Sequence, residues 1–184
     1  MDLKDKVPPH NLDAEQATLG AILFDSAAIS EIATILRPDR FYSFQNQLIY
    51  EAMLSLYKQN VAIDMLSLIN ELTKQGKLEQ AGGNAYIADL TNTVATSANI
   101  NYYVDIILDQ ATRRDLIRLS SDVRASAFDE THNSKVLLEQ AEKKIFNLSE
   151  NNETSRIYGM KDVISSTIEI IDQRYKNSGG LTGI

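Results

Sequence analysis

The sequence predicts an all-α fold with a compact N-terminal helical bundle, a long antiparallel helical hairpin, a flexible linker and an isolated amphipathic helix. Three observations favour this class. The 184 residues include only three prolines and eight glycines, a low content of helix breakers. Leucine, isoleucine and alanine recur at steps of three and four residues, the spacing of one helix face. Positions 99–128 contain neither proline nor glycine, and a helix of that length, on the order of 45 Å, must project beyond a small core.

Composition narrows the classes of function. The formal net charge of -7 argues against a surface built to hold DNA phosphates, which needs clustered lysine and arginine. The absence of cysteine excludes disulfides and thiolate metal sites and fits a reducing compartment. No stretch approaches the roughly 18 apolar residues of a membrane span, and the N-terminus MDLKDKVPPH lacks the apolar core of a signal peptide. We therefore expect a cytoplasmic protein without a membrane partner.

The chain opens with an extended arm at positions 1–10, stiffened by Pro8-Pro9 because proline fixes φ and restricts its predecessor. Asn11 is a good N-cap for a first helix that runs to about Phe24. Gly20 within this helix costs roughly 1 kcal/mol relative to alanine, so we expect a close helix contact there. The predicted core face is Leu12, Leu19, Ile22 and Leu23.

Two further helices follow in the bundle. The second restarts at Asp25-Ser26 and is terminated by Pro38, while the third is capped by Ser43 and reaches about Gln59. The predicted core positions are Ile29, Ile32, Ala33 and Leu36 in the second helix, and Phe44, Leu48, Ala52, Met53 and Leu56 in the third.

The bundle, predicted to span 11–97, closes with two shorter helices. Asp64 caps the fourth, and Gly76 supplies a left-handed C-terminal cap. Gly82-Gly83 makes a turn into the fifth, after which a polar connector leads out of the bundle. The inward-facing residues are Leu66, Ile69 and Leu72 in the fourth helix, and Tyr86, Ile87 and Leu90 in the fifth.

The predicted hairpin occupies 98–150. Its first helix carries apolar residues along one side, a polar break covers 129–133, and Ser134 is a plausible N-cap for the second helix. The second helix presents Val136, Leu137, Ala141, Ile145 and Leu148 to the first. Apolar residues are left over, and a hairpin of this kind usually needs a partner. They are Leu138, Phe146 and part of the segment 116–123.

Two positions on the hairpin have two open interpretations. Ile117 and Val123 either lie inside the seam between the two helices or form an apolar patch that receives another protein.

Beyond the hairpin, 151–159 has the composition of a flexible linker, and 160–177 again shows a helical pattern. An isolated amphipathic helix after a linker normally docks into a groove on another domain or subunit. Its predicted docking face is Val163, Ile164, Ile168, Ile171 and Tyr175. The glycine-rich stretch 178–184 has the composition of an entrance to a further domain, so we expect a truncated domain to start there.

A search for catalytic motifs gives no site. A phosphate-binding loop needs a glycine five positions before a Gly-Lys pair and a hydroxyl after it, but Gly76-Lys77 has Glu71 and Leu78 at those positions. His10 and His132 lie in polar segments without a second ligand at metal spacing, which favours surface histidines. We expect neither a catalytic residue nor a bound cofactor or metal in these 184 residues.

The densest basic cluster comprises Arg113, Arg114, Arg118 and Arg124. Asp109 precedes Arg113 by four residues and Asp122 follows Arg118 by four, which favours intrahelical ion pairs on a solvated helix face. Binding of phosphate by these arginines is the alternative.

Several stretches, taken together, resemble the N-terminal region of the bacterial replicative DNA helicases of the DnaB family. Asp115 departs from the apolar and basic run usual there. The similar stretches are PPHNLDAEQATLGA at 8–21, DRFY at 39–42, IYEAM at 49–53, GG at 82–83 followed by YI at 86–87, ANI at 98–100 followed by YY at 102–103, and RRDLIR at 113–118.

The resemblance implies a collar in which pairs and trios of these domains form a ring above six RecA-like motor domains. It implies that the collar binds primase, with contacts at Ile117, Val123 and, more weakly, Tyr86. The helix at 160–177 would dock on the motor domain of the adjacent subunit, and ATP and magnesium would bind in that motor domain beyond Ile184. A helicase loader would be a further partner, and DNA would pass through the ring with weak direct binding.

Two alternatives to the collar remain. The first is a free-standing helical adaptor, or a helicase-loading or inhibiting factor that mimics the collar. The second is a nucleic-acid-binding module that uses the arginine cluster.

Overall fold

The computed structural model describes residues 6–129 and 133–154, and the regular elements within those ranges are all helical, as predicted. None of the helices in this described part is long and apolar enough to cross a membrane. The helices are α1 (Leu12–Phe24), α2 (Ile29–Ile32), α3 (Phe44–Lys58), α4 (Met65–Lys74), α5 (Gly83–Leu90), α6 (Ile100–Ala127) and α7 (Ser134–Thr154), with 3₁₀ turns at Ser26–Ala28 and Pro38–Arg40.

Helix starts in the bundle follow the predicted capping residues. The Asn11 side chain accepts a hydrogen bond from the Ala14 N–H at 2.9 Å. Asp64 accepts from the Ser67 N–H at 2.7 Å, and the Ser67 hydroxyl accepts in return from the Asp64 N–H at 2.9 Å. This reciprocal pair satisfies two backbone donors at the start of α4, and the Ser67 N–H holds the pKa of Asp64 below its usual range.

The close helix contact predicted at Gly20 is confirmed. A Cβ at this position would stand 2.6 Å from the Leu90 carbonyl oxygen at the end of α5. No side chain fits at that distance, so glycine is what allows α1 and α5 to pack backbone to backbone. The fully buried residues of the bundle core include Leu19, Ile22, Ile49, Leu72 and Ile87.

Three residues that were predicted to lie in the core are exposed instead. Leu12 is 41% exposed, Phe44 59% and Leu66 69%, although all three were expected in the core. Each stands two residues before a buried one, and two residues turn a helix by about 200°. The buried residues are Ala14 in α1, Asn46 in α3 and Leu68 in α4.

Helix α6 joins the bundle to the hairpin. Ile100, Val104 and Ile107 belong to the bundle core, and Ala111 is the last buried residue of the helix. Further along α6 and in α7 no side chain whose burial is described is buried, so the outer half of α6 projects as predicted. Helix α7 then packs back along this projecting half.

Both ends of α7 differ from prediction. Asn133, rather than Ser134, is its cap, since its side chain accepts from the Lys135 N–H at 2.9 Å. The helix continues through Thr154, into the stretch 151–159 that its composition assigned to a linker. Extending an existing helix costs far less than starting one, which explains the overrun into polar sequence.

Some predictions fall outside the described residues. They are the arm at 1–5, His132, the linker after Thr154, the linker helix at 160–177 with its docking face, and the stretch 178–184.

Candidate protein-interaction surface on the hairpin

The outer hairpin exposes large apolar side chains on both of its helices. On α6, Ile117 is 52% exposed and Leu116 48%, and Phe128 just past its end is 83% exposed. On α7 the exposed apolar residues are Val136, Leu138, Ile145 and Phe146. Isolated apolar residues on a protein surface are ordinary, but a series along two packed helices indicates a binding surface.

The two helices do not close completely over their seam. Between α6 and α7 lies a groove of 310 Å³. A cavity of about 150 Å³ holds a benzene molecule, so a groove of this size can receive an apolar side chain from a partner. Its lining is Val123, Ser126 and Ala127 from α6, and Ser134, Leu137, Leu138, Gln140, Ala141 and Lys144 from α7.

The predicted contact residues Ile117 and Val123 occupy different places on the hairpin. Ile117 is on the outer surface, whereas Val123 is half-buried and lines the groove. The seam interpretation therefore describes Val123, and the patch interpretation describes Ile117. Their role in binding primase stays a prediction.

The third predicted contact residue, Tyr86, lies in the bundle. Its hydroxyl donates to the Asn46 side-chain oxygen at 2.7 Å and accepts from the Gln16 amide at 3.2 Å. Burial raises the pKa of Tyr86. Because its hydroxyl is held by α1 and α3, Tyr86 is not brought together with the hairpin residues.

The arginine cluster is not one solvated face. Arg113 pairs with Asp109 at 2.8 Å, as predicted, but Arg118 lies 3.8 Å from Asp115 rather than beside Asp122. Arg114 turns into the protein instead. Its guanidinium donates to two backbone carbonyls, at Pro9 and Arg40, and burial lowers its pKa. The two carbonyls accept from two of the five guanidinium N–H groups, which compensates for the partial burial of this arginine.

Sequence reasoning missed the buried carboxylate of Glu15. It was interpreted as a first-turn acid that complements the helix dipole, yet its side chain is 2% exposed. It accepts from the Tyr42 N–H at 2.5 Å, the Ser43 N–H at 3.2 Å and the Asn46 amide at 2.8 Å. Glu15 thus fixes the start of α3 on α1. In the sequence, the signal at this residue is that Glu15 lies in the stretch 8–21, which resembles the helicase family.

The described residues hold no group of three or more side chains suited to a metal ion. What the hairpin surface offers is exposed apolar area beside a groove. These are the features of a site that binds another protein.

Comparison with known proteins gives one consistent result. Residues 7–109 match the family described as DnaB-like helicase N terminal domain. The replicative DNA helicase DnaB of Treponema pallidum is 37% identical over 183 residues, which are 100% of this chain and 42% of that protein. The chain spans about two fifths of that protein and of the replicative DNA helicase DnaC of Bacillus subtilis, to which it is 36% identical.

Solved structures agree with this match. The crystal structure of the N-terminal domain of DnaB helicase from Mycobacterium tuberculosis superimposes with a TM-score of 0.71 at 32% identity, over 77% of this chain and 99% of that one. The N-terminal domain of DnaB helicase from Helicobacter pylori, described with its interactions with primase, superimposes with a TM-score of 0.54 at 24% identity, over 63% and 90%. The second likeness is one of fold alone.

Proposed function

This chain belongs to the DnaB-like helicase N-terminal domain family, and on that premise we propose that it forms the collar of a hexameric, ATP-driven replicative DNA helicase. The collar organises the subunits into a ring and docks primase at the replication fork. The observation that carries this proposal is the exposed apolar surface of the hairpin, centred on Leu116 and Ile117 of α6.

Primase is the proposed partner for the outer hairpin surface. The Helicobacter pylori relative, which shares the fold, is described with its interactions with primase. Docking would bury Ile117, while Val123 and the groove beside it would accept a side chain from the partner. Ile117 is 52% exposed, so docking can bury about half of its side chain, and this burial contributes about 0.8–1.5 kcal/mol.

The same proposal covers the other members of the assembly. Copies of this domain would associate as dimers and trimers within the hexamer, and a loader would engage it. The linker helix at 160–177 would dock on the motor domain of the adjacent subunit, where ATP and magnesium would bind, and the whole would act in the cytoplasm. The net charge of -7 and the inward-facing Arg114 support a ring that DNA passes through without being gripped.

Calorimetric titration of the chain with the C-terminal domain of the cognate primase tests the proposal. Ile117→Asp places a charge in the centre of the surface, and we expect binding at least about tenfold weaker. Leu66→Asp is the matched control, because Leu66 is equally apolar and exposed but lies on α4 in the bundle. It should bind as the unaltered chain does, and circular dichroism checks that both variants fold.

Absence of binding at tens of micromolar by the unaltered chain would refute primase docking. It would leave the apolar surface to pairing between subunits. Equal loss with both variants would place the contact elsewhere.

A further inference from the structure

The point where α6 leaves the bundle carries a cluster of unusual contacts. Arg114 stands three residues after Ala111, the last buried residue of α6. Its guanidinium donates to the Pro9 carbonyl at 2.9 Å and to the Arg40 carbonyl, and its Cζ lies 5.8 Å from the centre of the Tyr42 ring. One side chain thus joins the projecting helix to two segments that are distant in sequence, the arm at Pro9 and the stretch from Arg40 to Tyr42.

The arm segment is held at the same place by a second contact. The His10 ring stacks on Tyr42 with ring centroids 4.4 Å apart and planes inclined by 16°. The arm therefore adds both a backbone carbonyl and an aromatic ring to the junction. Arg114 provides a hydrogen bond that ties this arm to α6.

A hydrogen bond and an ion pair at Arg40 also belong to this junction. Arg40 accepts from Arg114 through its carbonyl and donates through its guanidinium to Asp115 at 2.5 Å, with the side chains of Arg40 and Asp115 only 17% and 23% exposed. The turn Pro38–Arg40 thus contacts two successive residues of α6. The chain just after this turn is fixed to α1, because Glu15 accepts the Tyr42 N–H.

We propose that Arg114 is a positioning residue that fixes the direction of the hairpin relative to the bundle, and that the arm at 8–10 is part of this brace. From Asp115 to the end of α6 the helix extends about 18 Å. A tilt of about 10° at the junction therefore moves the hairpin tip by about 3 Å, a displacement comparable to a side-chain contact. The brace keeps both faces of the hairpin in the place where partners would meet them.

The chain provides a matched control one residue away. Arg113 carries the same charge, but its side chain is 60% exposed and pairs with Asp109 within the same helix. Removing Arg113 leaves the contacts between α6, the turn and the arm intact, whereas removing Arg114 breaks two of them. Both variants remove one positive charge from α6 and add one alanine to it. A difference between them therefore reports the loss of the Arg114 contacts.

Double electron–electron resonance on the full 184-residue chain tests the proposal. The chain has no cysteine, so Lys58→Cys in the bundle and Glu142→Cys on the hairpin give unique spin-label sites, both exposed. An excess of unlabelled chain ensures that each measured distance lies within one copy. We expect Arg114→Ala to broaden or shift the distance distribution by about 3 Å or more, and Arg113→Ala to leave it unchanged.

Two further variants separate positioning from loss of stability. Deletion of residues 1–10 should broaden the distribution as Arg114→Ala does. Ile49→Val destabilises the bundle core without touching the brace, and should leave the distribution narrow. An unchanged distribution in Arg114→Ala, or equal broadening in Arg113→Ala or Ile49→Val, would overturn the proposal. Because no primase is present, this outcome is independent of the primase titration.

Discussion

The buried carboxylate of Glu15 gives a sharp prediction about stability. Its Oε1 accepts from the Tyr42 N–H, while its Oε2 accepts from both the Ser43 N–H and the Asn46 amide. Glu15→Gln keeps the shape of the side chain but replaces one acceptor with an NH₂ group. The Asn46 amide cannot rotate to compensate, because its oxygen already accepts from the Tyr86 hydroxyl.

The magnitude follows from counting these bonds. The least costly arrangement keeps the glutamine oxygen on the side with two donors and sets NH₂ against the Tyr42 N–H. One charged hydrogen bond is then lost, at about 1.5–3 kcal/mol, and the two that remain weaken because their acceptor is neutral. We expect a loss of about 2–4 kcal/mol in the free energy of unfolding.

Urea denaturation followed by circular dichroism measures this loss. With a slope of about 2 kcal/mol per molar urea, the midpoint should fall by about 1–2 M. Asp13→Asn is the matched control, since Asp13 lies in the same first turn but is exposed and loses only about 0.3–1 kcal/mol of interaction with the helix dipole. A Glu15→Gln midpoint equal to that of Asp13→Asn would refute the reasoning.

Two further predictions concern stability. Gly20→Ala should lower the melting temperature, because the added Cβ would stand 2.6 Å from the Leu90 carbonyl oxygen. Overpacking costs about 1–3 kcal/mol, which outweighs the gain of about 1 kcal/mol in helix propensity. An unchanged or higher melting temperature contradicts the close contact. Hydrogen bonds from Ser55 and Gln75 hold the pKa of Glu71 below its usual range. The unfolded chain therefore takes up this proton first, so stability present at neutral pH is lost as pH falls below about 4.3. Ser55→Ala removes the largest cause and should reduce that acid-side loss in urea midpoints measured from pH 7 to pH 3, whereas an identical decline contradicts it.

Local patterns in the sequence predicted much of the fold. Asn11, Ser43 and Asp64 start helices because their side chains satisfy backbone donors close by in the chain. Gly76 has φ of +68°, as its predicted left-handed cap requires. These features depend on neighbours a few residues away, and a single sequence displays them directly.

Features that depend on distant neighbours were not predicted. Arg114 lies 105 residues from Pro9 and 74 from Arg40, and spacing along α6 gives no sign of either partner. The same holds for Asp115, which pairs with Arg40. Periodicity also fails to show which of two nearby apolar residues faces the core. In α4, Leu66 is exposed, whereas Leu68, two residues further on, is buried.

For the candidate interaction surface, the sequence predicted exposed apolar residues on the hairpin. It did not predict which of them lie on the outer surface and which line the groove. Leu138 and Phe146 were expected to fall off the seam, and both are 61% exposed, but Leu138 also lines the groove at the seam. Ile117 and Val123 were given the same two interpretations, yet one is on the surface and the other lines a groove. Six residues turn a helix by about 600°, so the two side chains point about 120° apart.

The heat capacity change on binding tests the central claim most directly, namely that primase docks on the apolar surface around Ile117. It is obtained by titrating the chain with the primase C-terminal domain at several temperatures. Burial of apolar surface makes this change negative, and we expect a clearly negative value that shrinks in Ile117→Asp. A value near zero, or tight binding with the same value in the variant, would contradict docking on this surface.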